Sequence, residues 1–461
     1  MDSQVFENLK TLNMSYSLDL TATLNFTTLR CLETLNFEGC KSLEEVHISI
    51  GSSVKLVSVN FCGCVKLKSL PDTICNLRAL EIVRICGCIS LESLPIKLGS
   101  IESLKVLDLK GLSISALPDS MECLSKLVEL DLSYNKKLKI LPYTVYNLKA
   151  LKNLHISGCE KLEILPDQLC TNTAPTLLRE LHGTGPSHIA SSLEKLDLSE
   201  GALTSLPSGI TQLSELENLY LRDCWSLLSI VELPPNLKSI WANGCISMKS
   251  LPNLCNLKQL ELLDLTDCIG LTEIQGLEEL TSLRELHLGG CNLSILEYTL
   301  TKCFFQMHTG LGQQINIYAP LAEFLDCNSE SSDWNSQSRD WISRWNRQSN
   351  SRSSNPGSTL CFDLPSNVLG MILCFELCDD LEIVCRITLR NTTSDTEWSK
   401  NFYCFNQGSC MVIVPRSIFT VRDGDDRIEL TANSEILGIH LLYENEHNST
   451  TSRNSWDSNG H

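Results

Sequence analysis

Residues 80–95 read LEIVRICGCISLESLP, and residues 151–166 read LKNLHISGCEKLEILP. Both fit the frame L-x-x-L-x-L-x-x-C-x-x-L-x-x-L-P, with Val and Ile standing for Leu where they occur. The frame restarts at Leu9, Leu32, Leu56, Leu80, Leu104, Leu127, Leu151, Leu178, Leu193, Leu216, Leu237, Leu260 and Leu283. Most steps are 21 to 24 residues; steps of 27 and 15 flank Leu178. A fixed period of this length is the mark of a stacked-repeat architecture.

The alternation at Leu80, Val83 and Ile85 predicts a short strand whose apolar side chains point into the coil. One unit cannot cover that apolar face, but its neighbours can, so the units must stack. This is the leucine-rich repeat: an α/β solenoid of about thirteen units with short parallel strands on one side and an irregular convex side. The position after the strand holds Cys40, Cys64, Cys88, Cys159, Cys224, Cys245, Cys268 and Cys291, with Asn135 once. Small groups at that position are placed to meet backbone groups of the neighbouring turn. Leu-Pro closes seven units, as at Leu70-Pro71, where the missing N–H of Pro does no harm. Strands ~4.8 Å apart predict a concave sheet roughly 60 Å along its inner arc.

Around 171–192 the frame degenerates, which predicts a kink or a surface loop. The repeat is already running at Leu9, so the first coil is expected to lack a cap and the chain to be cut from something longer. After Leu296 the repeat stops. Residues 297–358 read as a connecting region, since 328–358 carry eleven serines and three tryptophans. Short apolar runs between polar turns (TLCFDL, VLGMILCFEL, LEIVCRITL, CMVIV, RIELT, ILGIHLLYE) predict an antiparallel β-sandwich over 359–444. Residues 445–461 are polar and expected to be disordered. The domain reading is therefore a solenoid over 1–296, a connection over 297–358, a sandwich over 359–444 and a tail.

Across 461 residues the net charge is −18, which argues against nucleic acid or an anionic membrane as the main partner. No apolar run approaches the ~20 residues of a membrane span, and the start lacks the build of a secretory signal. The expectation is a soluble intracellular protein. For such a chain the twenty-three cysteines read as reduced, structural thiols. The five sequons at Asn13, Asn25, Asn292, Asn391 and Asn448 read as chance matches. No phosphate loop, dinucleotide fingerprint, H-E-x-x-H or G-x-S-x-G is present, so no enzyme and no cofactor is expected. The C-x-C pairs Cys62/Cys64 and Cys86/Cys88 hint at zinc, but the spacing within each pair is short and no metal site is expected.

The strand residues that must face out of the sheet are Asn36, Asn60, Arg84, Asp108, Asp131, His155, His182, Asp197, Tyr220, Trp241, Asp264 and His287. Tyr220 and Trp241 are large aromatics where the coil's packing does not require them, and such residues favour interface anchors. Arg222 and Asn243, two residues further on, also face outward. The row from Arg84 to His287, with Arg222 and Asn243, is the candidate partner-binding surface. A protein is the expected ligand, with neither nucleic acid nor membrane involved.

The segments CKSLEEVHISIGSSVKLVSVNFCGCVKLKSLPDTICNLRAL and LVELDLSYNKKLKILPYTVYNLKALKNLHISGC resemble the repeats of plant TIR-type nucleotide-binding leucine-rich-repeat immune receptors. GSTLCFDLPSNVLGMILCFEL resembles the post-repeat jelly-roll or immunoglobulin-like domain of the same receptors. That domain opens near I-P-x-W-F, of which this chain keeps Ile342 and Trp345. The resemblance implies a sensor of a pathogen effector or a guarded host protein, cytoplasmic or nuclear, working with an upstream nucleotide-binding domain. The family's catalytic glutamate and phosphate loop have no matching positions. The alternative is a freestanding repeat scaffold or decoy without signalling domains.

Overall fold

The computed structural model describes residues 6, 8–141, 145, 148–162, 192–206, 208–292 and 295. It further describes the segments 315–319, 359–364, 368–376, 385–392, 396–402, 409–415, 426–432 and 436–443. The unit expected at Leu178, most of the irregular stretch 171–192, the opening pair Ile342 and Trp345, and the tail 445–461 lie outside the described residues. The chain divides into two units, 1–248 and 249–461.

In the first unit each frame start among the described residues produces a three-residue strand. In chain order these are β1 (Thr11–Asn13), β2 (Thr34–Asn36), β3 (Ser58–Asn60), β4 (Ile82–Arg84), β5 (Val106–Asp108), β6 (Glu129–Asp131) and β7 (Asn153–His155). β8 (Lys195–Asp197), β9 (Asn218–Tyr220) and β10 (Ser239–Trp241) follow. Each pairs in parallel with the next, and equivalent frame positions lie in register: Leu35 meets Val59, and Leu154 meets Leu196. β7 therefore neighbours β8 directly.

Alternation decides what is buried. The middle residue of a strand and the residue after the strand point inward: Leu35, Phe37, Val59, Phe61, Leu130 and Leu132 are all fully buried. Each such side chain contributes roughly 1.5–3 kcal/mol relative to exposure. Opposite the strands run short 3₁₀ turns. Asp72–Asn76 and Asp119–Cys123 begin directly after Pro71 and Pro118, whose φ of −68° and −70° suits a turn start.

After each strand the chain reverses through one residue with positive φ. Gly39, Gly63, Gly87, Gly111, Gly158 and Gly244 serve here, but so do Tyr16, Tyr134, Glu200 and Asp223. The next position is the cysteine ladder, and it does what its small size suggests. The thiols of Cys40, Cys64, Cys88, Cys159, Cys224 and Cys245 donate to Met14, Phe37, Phe61, Leu132, Leu198 and Leu221 carbonyls of the preceding unit at 3.1–3.3 Å. Asn135 donates to both the Leu109 and Leu132 carbonyls at 2.9 and 2.7 Å.

The second unit opens with β11 (Leu262–Asp264) and β12 (Glu285–His287), parallel and in the same register. β13 (Ile315–Ala319) pairs in parallel with β12, so the stretch read as a connecting region supplies a strand. Seven strands follow: β14 (Thr359–Leu364), β15 (Val368–Glu376), β16 (Cys385–Asn391), β17 (Thr396–Phe402), β18 (Ser409–Pro415), β19 (Asp426–Ala432) and β20 (Ile436–Tyr443). β13, β18, β15 and β20 are antiparallel neighbours in that order, and β14, β19, β16 and β17 form a second antiparallel sheet. In the latter, Ile387, Leu389, Ile428 and Leu430 are buried at alternating positions.

Candidate protein-interaction face

The third strand residues of the first unit form one in-register row: Asn13, Asn36, Asn60, Arg84, Asp108, Asp131, His155, Asp197, Tyr220 and Trp241. The row is the one the alternation predicts, except at His182. That residue lies outside the described residues, and His155 neighbours Asp197 instead. Asp264 and His287 hold the equivalent positions in the second unit, where Asp264 is 8% exposed and thus largely withdrawn from solvent.

Most of the row has a local duty that its exposure conceals. The side-chain oxygens of Asn36, Asn60, Asp108, Asp131 and Asp197 each accept the backbone N–H two residues on, at 2.8–3.1 Å. Asp264 does the same for Thr266. These are Asx turns, which close the strand end and start the reversal. Asn or Asp recurs at that position because its short side chain reaches that N–H. Arg84, His155, Tyr220 and Trp241 carry no oxygen suited to the task. At two of these rungs the preceding unit supplies the acceptor: Cys86 N–H donates to Cys62 Sγ at 3.2 Å, and Arg222 N–H to Ser199 Oγ at 3.1 Å.

Freed from that duty, Tyr220 and Trp241 stack. Their ring centroids are 6.4 Å apart with planes inclined by 10°. The Arg222 guanidinium lies 4.6 Å from the Trp241 ring centroid and 5.6 Å from that of Tyr220. A guanidinium over aromatic faces contributes about 0.5–1 kcal/mol at an exposed site and holds the rings in one orientation. Asn243 borders the cluster, and its buried Oδ1 has no hydrogen-bond partner. The result is an amphipathic platform of two stacked rings and a guanidinium on the strand face.

Next to it, His155 Nδ1 lies 3.7 Å from Asp197 Oδ2, an ion-pair distance. The Asp197 carboxylate, with Asp131 and Glu129 nearby, holds the imidazole above its ordinary range against the opposing effect of burial. Burial pushes the Asp197 carboxyl up, but His155 and Ser199 outweigh it and leave it below the usual carboxylate range. Tyr134 Oη donates to Glu200 Oε1 at 2.5 Å, which pushes the phenol up to about 12.

One expectation about the cysteines is corrected. Cys62 and Cys86 form a disulfide, with Cα atoms 4.4 Å apart. They are equivalent residues of consecutive units, and adjacent parallel rungs bring such residues to strand spacing. The informative spacing was 24 residues between units, not the short C-x-C within one. The ladder cysteines form no disulfide.

No family model matches the chain. Among curated proteins, it is 35% identical over 184 residues to disease resistance protein RPS4B of Arabidopsis thaliana, covering 38% of this chain and 16% of that protein. It is 30% identical over 318 residues to TMV resistance protein N of Nicotiana glutinosa, covering 56% of this chain and 28% of that protein. Its relatives are disease resistance proteins of plants. The chain spans well under a third of the length of either. Among solved structures, the Arabidopsis receptor kinase HAESA, in complex with the peptide hormone IDA and the co-receptor SERK1, matches 63% of this chain and 51% of that one. The identity there is 21% and the TM-score 0.41. A leucine-rich-repeat protein of Leptospira interrogans, LIC12759, matches 63% and 91% at 20% identity and a TM-score of 0.36. Among the described residues no helix is long and apolar enough to cross a membrane.

Proposed function

We propose that the chain is the ligand-sensing part of a plant TIR-type nucleotide-binding leucine-rich-repeat receptor, and that it works by binding a protein rather than by turnover. The observation that carries this reading is the Tyr220–Trp241–Arg222 platform, an ordered aromatic cluster on a strand face whose Asn and Asp row members are occupied with backbone turns. Buried aromatic and arginine anchors dominate protein interfaces. Its likeness to plant disease resistance proteins supports a role in defence, and on this reading the ligand is a pathogen effector or guarded host protein met in the cytoplasm or nucleus. Binding would then shift the equilibrium of an upstream nucleotide-binding domain. On the same reading the two antiparallel sheets of the second unit pack as the post-repeat β-sandwich.

The test is selective loss. Peptide-display binders are selected on the wild-type chain, and their affinities are measured for Trp241→Ala, Tyr220→Ala and a control, Ser58→Ala, on β3. Trp241→Ala is expected to weaken the dominant binder class about thirtyfold, the equivalent of roughly 2 kcal/mol. The melting temperature should hold, because the ring lies outside the coil's core. Equal affinities for all three variants would remove the platform as the recognition site.

A further inference from the structure

The Cys62 and Cys86 sulfurs and a carboxylate oxygen of Asp108 lie within 4.8 Å of one another, on three consecutive rungs of the first unit. All three residues are partly buried. Nothing in the repeat frame asks for this convergence. The equivalent residues of other units are Glu38, Lys110, Ser133, Ser157 and Ser199, none of which pairs with its neighbour as a ligand set. Asp108 is already oriented, because its Oδ1 accepts the Lys110 N–H at 3.1 Å and leaves the other oxygen uncommitted to that turn. The Cys86 N–H points at Cys62 Sγ from 3.2 Å, a donor that also favours a thiolate. Arg84 and Lys110 occupy neighbouring positions on the same rungs and offset the negative charge of the three ligands.

We propose that, once the disulfide is reduced, Cys62, Cys86 and Asp108 bind one thiophilic divalent cation such as Zn²⁺, so that this site exchanges between a covalent and a metal-linked state. Reduction by a dithiol breaks the S–S bond. Two electrons and two protons pass to the sulfurs, and the dithiol closes to its own disulfide. Metal binding then releases the two thiol protons. The geometry suits the ion: Zn–S bonds of ~2.3 Å around a tetrahedral centre put two sulfurs ~3.8 Å apart, which adjacent rungs reach by side-chain rotation. Three protein ligands leave the fourth position to water or to a donor from a bound partner, which is the open form of a zinc site. Calcium and magnesium are excluded as natural occupants, since both want oxygen ligands in greater number.

The test uses the full chain, reduced with a phosphine and freed of it without air, and Co²⁺ as the probe. One Co²⁺ per chain is expected, with a thiolate-to-cobalt charge-transfer band that Zn²⁺ bleaches. The band should vanish in Cys62→Ser/Cys86→Ser and in the oxidised chain, and persist in Cys123→Ser, whose thiol is exposed and remote from the group. Asp108→Asn should weaken the affinity at least tenfold while the chain stays folded by circular dichroism. A readout that needs no variant is alkylation: Zn²⁺ should protect Cys62 and Cys86, and only them, when the peptides are mapped. No band in the reduced wild type, an undiminished band in the double variant or the oxidised chain, or protection elsewhere would overturn the site.

Discussion

At the scale of single residues, environment separates cysteines that composition alone could not. Burial pushes the thiols of Cys75 and Cys159 up to about 11 and that of Cys291 up to about 12, so almost none is thiolate at neutral pH. Cys123 is exposed. We expect iodoacetamide at pH 7.5 to modify Cys123 at least ~100-fold faster than Cys159, as read by mass spectrometry at short times; comparable rates would mean that the ladder opens. The His155–Asp197 pair makes a second prediction at this scale. His155 titrates higher folded than unfolded, so its contribution is whole below pH ~6.5 and is lost as pH rises through the folded value. Asp197 titrates lower folded, so its contribution holds above pH ~4 and is lost as pH falls through its folded value. The wild type should therefore lose stability relative to His155→Gln between pH 6 and 8, and denaturant midpoints for the two at both pH values decide it. Parallel profiles would show that the pair is not coupled to folding. The identity of the outward row was legible from alternation alone. Its meaning was not: Asp108 and Asp131 look like contact residues in the sequence, and only the N–H two residues on reveals them as turn makers.

At the scale of one element, the reversal after each strand sets the strictest demand. Gly111 and Gly158 both sit at positive φ, 67° and 64°. A Cβ on Gly111 would find only Gly87 atoms, at 3.8 Å, whereas one on Gly158 would come within 2.5 Å of the Tyr134 ring. Gly111→Ala should thus cost the backbone term alone, about 1–2 kcal/mol. Gly158→Ala should cost at least ~1 kcal/mol more, and Tyr134→Ala in the same chain should recover that excess. Urea midpoints for the three variants test this; equal losses at the two glycines would mean that the ring swings away freely. The strands β1 to β12 were readable because a fixed period and a two-residue alternation coincide at every unit. β13 and β17 were missed for a physical reason: INIYA and TEWSKNF are short or polar, and each becomes a strand through its partners β12, β18 and β16 rather than through its own pattern. The disulfide was hidden in a similar way, since the C-x-C pairs draw the eye within each unit while the bond joins equivalent residues of two units.

At the scale of the molecule, a stacked array is only as protected at each rung as its neighbours make it. Leu35 is fully buried in β2 and Leu130 in β6, while Leu12 in β1 is only half-buried. Amide exchange should be at least ~100-fold faster over residues 11–14 than over 129–132 in a chain shown by sedimentation to be monomeric. Uniform protection would mean that the first unit opens only together with the rest. The lean of the Tyr134 ring onto Gly158, and of Tyr16 onto Gly39, also bears on how such an array can change over generations. A unit with tyrosine at the reversal dictates the residue that its successor can carry there, and the dictation runs in one direction along the chain. A duplication of the Tyr134 unit would set tyrosine where that ring already lies. Recombination can therefore copy or exchange these tyrosine units only together with the glycine unit that follows, whereas the units of Gly63, Gly87 and Gly111 carry no such requirement.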